Sequence, residues 1–513
     1  MSAPSVLPAL SQRVRTMLSI DPSAPAIAFE GTTFPWQYYT DAWQGLEAAL
    51  TDAGAESART IGVVLRNQPP HLAALIATVA GGRTIVTLSP FHGDEGLAED
   101  IRTMRPRVIV ASAADWARPV VFEAAEEIGA VRIVAGDEGP LRRAPDQAGT
   151  KVADQPPEED DGNVVLMLTS GTTGRPKRVP LAYDRLTAAY DAAGHGAELD
   201  VAPQLKKGAA ILWTSMVHIG GMYYAIGNVV EGREIALLEK FDVQKWAQAV
   251  VDHRPRLPSL NPTAMQMVLD SDVPDDLLSS ALAVMSGTAP LPPARQAAFE
   301  ARFGVPVLTT YGATEFAGAV AGWSLKDRKE WGDRKPGSAG RVFRGVEMRV
   351  LDQETGEPLP LGEVGLLQVR GGQLPNGGAD GWVATNDLAS LDADNFLYIH
   401  GRADDAINRG GFKIPPVVIT DVLEAHPAVD KAAAVGLPDR RLGAVPVAVV
   451  TLKEGAATPT GEELKQWCNE HLTRYQVPVS IKVVDEMPRT PSMKISQPGV
   501  KAFFDGDGIG DAG

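Results

Sequence analysis

The chain reads as an α/β protein: a large N-terminal domain of βαβ layers with a small β-rich subdomain, followed by a small, mobile α+β C-terminal domain. Three observations predict this. Short apolar runs alternate with alanine-rich amphipathic stretches up to about residue 400, the signature of parallel strands joined by helices. Strands broken by glycine turns then take over from 342 to 371. A shorter α/β pattern of roughly one hundred residues closes the chain.

Taken in order, "TIGVVL" (60 to 65), "RTIVTL" (83 to 88) and "RVIVAS" (107 to 112) are buried strands, and "PPHLAALIATVAG" is a helix between two of them. The segment 137 to 162, "DEGPLRRAPDQAGTKVADQPPEEDDG", is charged and rich in proline and glycine, and predicts a surface connection. "VFRGVEMRVLDQETGEPLPLGEVGLLQVRG" supplies the β-rich part. After it, "VITDVLEAH" is helical and "VPVAVVTL" is a strand. In "GEELKQWCNEHLTRY" Leu464, Trp467, Cys468 and Leu472 share one helix face, and Thr460 with Glu463 forms a capping box. Cys468 therefore reads as core and not as a nucleophile. The expected domains are 1–402 and 403–503, with a disordered tail over 504–513.

Composition narrows the function. The 513 residues are 44% hydrophobic and 22% charged, with a net charge of -16 and one cysteine. A disulfide framework is excluded, and no apolar run approaches the ~18 residues of a membrane span. The opening "MSAPSVLPALSQRVRT" lacks the order of a secretory signal, so a cytoplasmic setting is expected. The negative charge argues against general nucleic-acid binding but leaves small phosphate-bearing ligands open.

The stretch "LMLTSGTTGRPKRV" (166 to 179) follows a strand with hydroxyls and glycines, then adds Arg175, Lys177 and Arg178. Glycine lets backbone N–H groups converge on an anion, and hydroxyls add donors and magnesium contacts. A Walker loop needs lysine directly after its second glycine; here Pro176 precedes Lys177, so any nucleotide is held differently. "TSGTTGRPK" resembles the phosphate-loop motif of the adenylate-forming superfamily of acyl- and aryl-CoA synthetases, luciferases and adenylation domains. "SGTAPLPP", "TTYGATE", "TNDLA", "GRADDAINRGGFKI" and "PRTPSMKIS" follow in that family's order.

The resemblance implies an active site between the two domains and assigns roles to matched positions. Thr169, Ser170, Gly171, Thr172, Thr173, Gly174 and Lys177 would grip the ATP phosphates, with Glu315 and Thr169 on Mg2+. Tyr311 and the backbone of Gly287, Thr288 and Ala289 resemble the adenine surface, with Gly312 and Thr314 also at the nucleotide; core packing is the lesser reading for Tyr311. Asp387 would accept from the ribose hydroxyls beside Arg402, with Asn386 standing where the family has glycine and a slightly altered turn expected. Lys494 matches the catalytic lysine that attends the α-phosphate, and Met493 replaces the usual glycine before it.

For the second step, Asp404 matches the hinge and Gly410, Gly411, Phe412 and Lys413 the segment brought to the thioester site. Val418 and Thr420 stand where the family often has glutamate. The acid pocket falls in "WTSMVHIGGMYYAI" (213 to 226), with His218 as a catalytic or gating group and Gly221, Met222 and Gly312 at the substrate. That stretch holds no carboxylate to pair with an ammonium group, which disfavours amino acids. The resemblance thus implies an ATP-, Mg2+- and coenzyme A-dependent ligase acting on an apolar aliphatic or aromatic carboxylic acid. A stand-alone enzyme loading an acyl carrier protein and a non-catalytic nucleotide binder stay open at this point, as does assembly as a homodimer.

Overall fold

Seven strands in the order 142–143, 131–135, 108–112, 60–64, 84–88, 163–169 and 177–182 form the sheet that the apolar runs foretell. In the computed structural model, the residues described are 7–136, 141–149, 161–169, 177–193, 202–375, 380–403, 405–409, 412–489 and 495–507. The five inner strands are parallel, and each outermost strand is antiparallel to its neighbour. Alternate side chains enter separate cores. Ile61, Val63, Ile85, Val108 and Val110 join one cluster, while Val64, Val86, Leu88, Ile109 and Ala111 join another. Both faces are thus covered, which explains why the strands are apolar without a polar alternation. The helix Pro69–Ala80 is buried along its whole length and opens on prolines, whose missing N–H costs nothing in a first turn.

A second sheet orders 209–212, 234–237, 25–29 and 32–35. A third group sets Val284–Ser286 parallel to Val307–Ala313, which turns back antiparallel onto Gly318–Gly322. Among the described residues no helix is long and apolar enough to cross a membrane.

The chain divides into two compact units, Met1–Glu347 with Arg370–Val383, and Met348–Val369 with Ala384–Gly513. The division therefore differs from the expected cut at 402. Strand Val383–Leu391 pairs with Phe396–Arg402 over Asp387 to Leu391, which ties most of the β-rich segment to the second unit. That unit also holds a sheet built on the long pair Val429–Asp439 and Gly443–Leu452. The helix Gly461–His471 carries the foreseen capping box, with Leu464 and Cys468 buried in the core beneath it. Burial pushes the Cys468 thiol up to about 11, consistent with an inert core cysteine.

Two expectations need correction. Phe504, assigned to the tail, is buried against Met487 and Val500, and Lys482 pairs with Asp507 at 2.5 Å. An aromatic at the start of the segment is enough to anchor it; residues 508–513 lie outside the described residues. Near the start of the expected surface connection, Leu141 is buried and Arg142–Arg143 adds an edge strand.

Candidate functional site

The phosphate-loop candidate joins two antiparallel strands, Asn163–Thr169 and Lys177–Ala182, which pair without a break from Val165 opposite Leu181 to Thr169 opposite Lys177. This is the structural answer to the missing Walker spacing. A Walker loop runs from strand to helix and uses the helix N-terminus, whereas here the chain returns as a strand. The base is stapled by Arg178, which donates to Thr87 O at 2.6 Å and Leu166 O at 3.0 Å and ion-pairs with Asp100. Of the cations in the opening motif, Arg178 is thus committed to the sheet, and Lys177 is exposed.

Ser170, Gly171, Thr172, Thr173 and Gly174 lie outside the described residues, as do Asp404, Gly410, Gly411 and Lys494 with Met493. The side chains of Thr169, Phe412 and Lys413 are likewise outside them. The backbone of Phe412–Ile414 pairs with Ile407–Arg409, and Arg489 bridges to Ile495 on either side of the Lys494 segment.

In the first unit, Tyr311, Gly312, Thr314 and Glu315 run along the end of strand Val307–Ala313 into a single 3-10 turn, Thr314–Phe316. The strand is bulged between Tyr311 and Gly312. A Cβ on Gly312 would stand 2.2 Å from Gly318 O, so only glycine permits the close return of the next strand. Tyr311 is half-buried, with its ring centroid 6.3 Å from that of Phe316. Glu315 is exposed, and among the described residues no group of three metal-ligating side chains exists. A lone carboxylate suits magnesium, which takes most of its ligands from phosphate and water.

Gly287, Thr288 and Ala289 follow the strand Val284–Ser286. Thr288 holds a φ of 71, a left-handed conformation that a β-branched residue adopts only under constraint. It is exposed and stands beside Gly220: the Thr288 and Thr214 methyls are 3.7 and 3.8 Å from where a Gly220 Cβ would lie. The sequence placed Thr288 and His218 in separate motifs; the fold brings their loops together. His218 is exposed at the N-terminus of the helix Ile219–Val230.

Two of the substrate assignments change character. Met222 is 1% exposed within the main core, so it packs the helix and does not face an open pocket. Gly221 is a packing residue as well, because a Cβ there would meet Ser215 O at 2.3 Å. Tyr223 packs on Tyr190 with centroids 4.4 Å apart and lies over Gly318. Burial raises Tyr223 and pushes Tyr224 up to about 12, so both remain neutral phenols.

In the second unit, Asp387 and Arg402 are direct cross-strand partners, with Arg402 Nη1 3.5 Å from Asp387 Oδ1. The backbone N–H of Asp387 donates to Thr385 Oγ1 at 3.0 Å, and that hydroxyl donates to Leu367 O at 2.9 Å. Asn386 does not reshape a turn as expected: it lies inside a continuous strand, and its carbonyl accepts from Ala403 N at 2.7 Å. Asp387 offers carboxylate acceptors and Arg402 a fork of donors, the pairing a vicinal diol beside a phosphate requires. Thr420 Oγ1 donates to Val417 O at 3.0 Å within the helix Pro416–Glu424.

Sequence reasoning missed Asn67, a buried amide that knits the 213 to 216 backbone to the main sheet. Its only signal is a polar residue just before a proline-led apolar helix.

Comparison with known proteins shows the family. Residues 17–377 match the AMP-binding enzyme family and residues 419–494 the AMP-binding enzyme C-terminal domain. A sulfoacetate–CoA ligase of Cupriavidus necator is 31% identical over 464 residues, 87% of each chain. The 4-coumarate–CoA ligase 1 of Petroselinum crispum is 28% identical and covers 92% of this chain and 89% of its own. Among solved structures, ATP-bound MatB from Rhodopseudomonas palustris has a TM-score of 0.83 at 23% identity, covering 98% of this chain and 99% of its own. With both family domains matched in order, and a ligase relative aligned over most of its length, this chain belongs to the AMP-binding enzyme family, among the adenylate-forming acyl- and aryl-CoA synthetases.

Proposed function

We propose that this AMP-forming acid–CoA ligase activates an apolar aliphatic or aromatic carboxylic acid as its adenylate and passes the acyl group to the thiol of coenzyme A. The observation that carries the nucleotide half is the cross-strand placement of Asp387 opposite Arg402. AMP-forming CoA ligases of this family require ATP, Mg2+ and CoA. A carboxylate resists acyl transfer because its leaving oxygen is too basic, and conversion to a mixed anhydride with AMP removes that obstacle.

Asp387 holds the ribose hydroxyls, and Arg402 sits beside it to orient the nucleotide. Tyr311 and the backbone from Gly287 to Ala289 border the base. Glu315 would hold Mg2+, and the charge that ion supplies when bound would offset that of the phosphates. Thr169 to Gly174 and Lys177 grip those phosphates, and Lys494 stabilises charge at the α-phosphate. No covalent enzyme nucleophile is needed. Asp404 acts as the hinge between half-reactions, after which Gly410 to Lys413 line the path of the thiol. His218 and Gly220 border the carboxylate.

The stretch Trp213 to Ile226 contains neither lysine nor arginine, which supports an apolar acid over one with a second anionic group. A cytoplasmic setting and homodimer assembly belong to the same reading. The alternative acceptor is an acyl carrier protein; Val418 and Thr420, standing where the family often has glutamate, bear on the thiol step with either acceptor and leave adenylation untouched.

The deciding experiment is pyrophosphate release across aliphatic, aromatic and polycyclic acids, with CoA or a phosphopantetheinylated carrier as acceptor. Acid-dependent release with thioester on free CoA is the expected result; tight ATP binding without turnover would sink the reading. Lys494→Ala should abolish adenylate formation while sparing thioester formation from a supplied adenylate, and equal loss of both would refute the assigned role of that lysine.

A further inference from the structure

Asn67 lies between the strand Thr60–Val64 and the helix Pro69–Ala80, 4% exposed. Its Nδ2 is 3.1 Å from both Trp213 O and Thr214 O and 3.2 Å from Leu238 O, while its Oδ1 accepts from Met216 N at 3.1 Å. One buried side chain therefore satisfies the turn that precedes His218. An amide has two protons, so three carbonyls share them, and no aliphatic or carboxylate residue reproduces the set. From the other side, Gly221 lets the same turn press on the helix: a Cβ there would meet Ser215 O at 2.3 Å and Thr214 O at 2.5 Å. The turn closes on the helix through His218 N, which donates to Ser215 O at 3.1 Å.

We infer that Asn67 is a positioning residue for acid binding: together with Gly221 it clamps the Trp213–Met216 turn, and so fixes where His218 and Gly220 stand beside Thr288. The inference rests on the reading that this turn borders the carboxylate. Asn67 touches no reactant itself. It acts through backbone placement, and a displacement of the turn by a fraction of an ångström is felt at the bound acid before it is felt at the nucleotide.

The test compares Asn67→Asp, which keeps the acceptor and removes the donors, with Asn67→Ala and Gly221→Ala. Each is expected to raise the KM for the acid at least about tenfold while the KM for ATP stays within about twofold. Thr460→Ala removes a helix cap in the second unit, where Thr460 Oγ1 accepts from Glu463 N at 3.2 Å. It should cost thermal stability while leaving the acid KM unchanged. Folded Asn67 variants with an unchanged acid KM, or with acid and ATP constants rising in parallel, would overturn the inference. Should Asn67→Ala fail to fold, Asn67→Asp and Gly221→Ala decide it. Failure of the ligase reading would instead appear in the native enzyme, as no acid-dependent pyrophosphate release. Amide exchange at Met216 and His218 would then still decide the clamp, since Asn67→Asp must accelerate both and equal rates would refute it.

Discussion

The strand pair Asn163–Thr169 with Lys177–Ala182 fixes only the two ends of its connection, and its candidate phosphate contacts lie between them. The pair Val383–Leu391 with Phe396–Arg402 instead sets its two candidates, Asp387 and Arg402, opposite each other within the ladder. The two places need different support. In the first, the sheet must hold the base against the pull of a ligand, and a partly buried arginine does this through two carbonyls and a carboxylate. In the second, register alone sets the spacing, and what remains to be chosen is side-chain chemistry. If the proposed roles hold, structure and function are therefore entangled at the hairpin proposed for the phosphates and separable at the one proposed for the ribose.

Arg178→Ala attacks the entangled case and carries the largest expected effect. It strands the Asp100 carboxylate, 13% exposed, and two strand carbonyls. A loss of about 2–3 kcal/mol in urea unfolding should result, together with a raised KM for ATP. Arg178→Lys should recover little, because one ammonium cannot reproduce the fork. Unchanged stability would show that the base is held by the ladder alone. Asp387→Asn attacks the separable case. The KM for ATP should rise about tenfold, roughly 1.4 kcal/mol, while stability moves by less than about 0.5 kcal/mol, since Arg402 is 38% exposed. A large stability loss would erase the contrast between the hairpins.

The parallel sheet was legible because period and composition act locally: "TIGVVL" can hardly be other than a buried strand. So was the capping box at Thr460 and Glu463, which needs only a spacing of three. The ordered motifs named the family but not the geometry behind it. Met222 read as pocket because its neighbours in sequence do, yet helix phase turns it into the core. Thr288 gave no sign of its left-handed backbone, and Asn67 gave none of its partners 146 and 147 residues away, because contacts that distant leave no local pattern. Phe504 failed differently: its contacts with Met487 and Val500 are near in sequence, but the glycine-rich residues after it set the composition from which the segment was read.

The smallest expected effect lies inside the ribose hairpin. His400 stands two residues before Arg402, half-buried, with its Nε2 2.9 Å from Ser390 Oγ. Burial disfavours the imidazolium and lowers its pKa below the usual value near 6.5. The unfolded chain therefore binds this proton at higher pH than the folded one. Stability is intact above about pH 6.5, falls through the window down to the lowered folded value, and is level below it. Comparing the native protein with His400→Gln at pH 7.5 and pH 5.5 isolates the contribution. The native urea midpoint should drop more on acidification than that of the variant, by less than the shift caused by Arg178→Ala. Because the ladder, and not this imidazole, sets the spacing of Asp387 and Arg402, the KM for ATP should change equally in both proteins over that pH range. A larger change in the native enzyme would mean that the ribose pair depends on the protonation state of its strand neighbour, and would move this hairpin from the separable class to the entangled one.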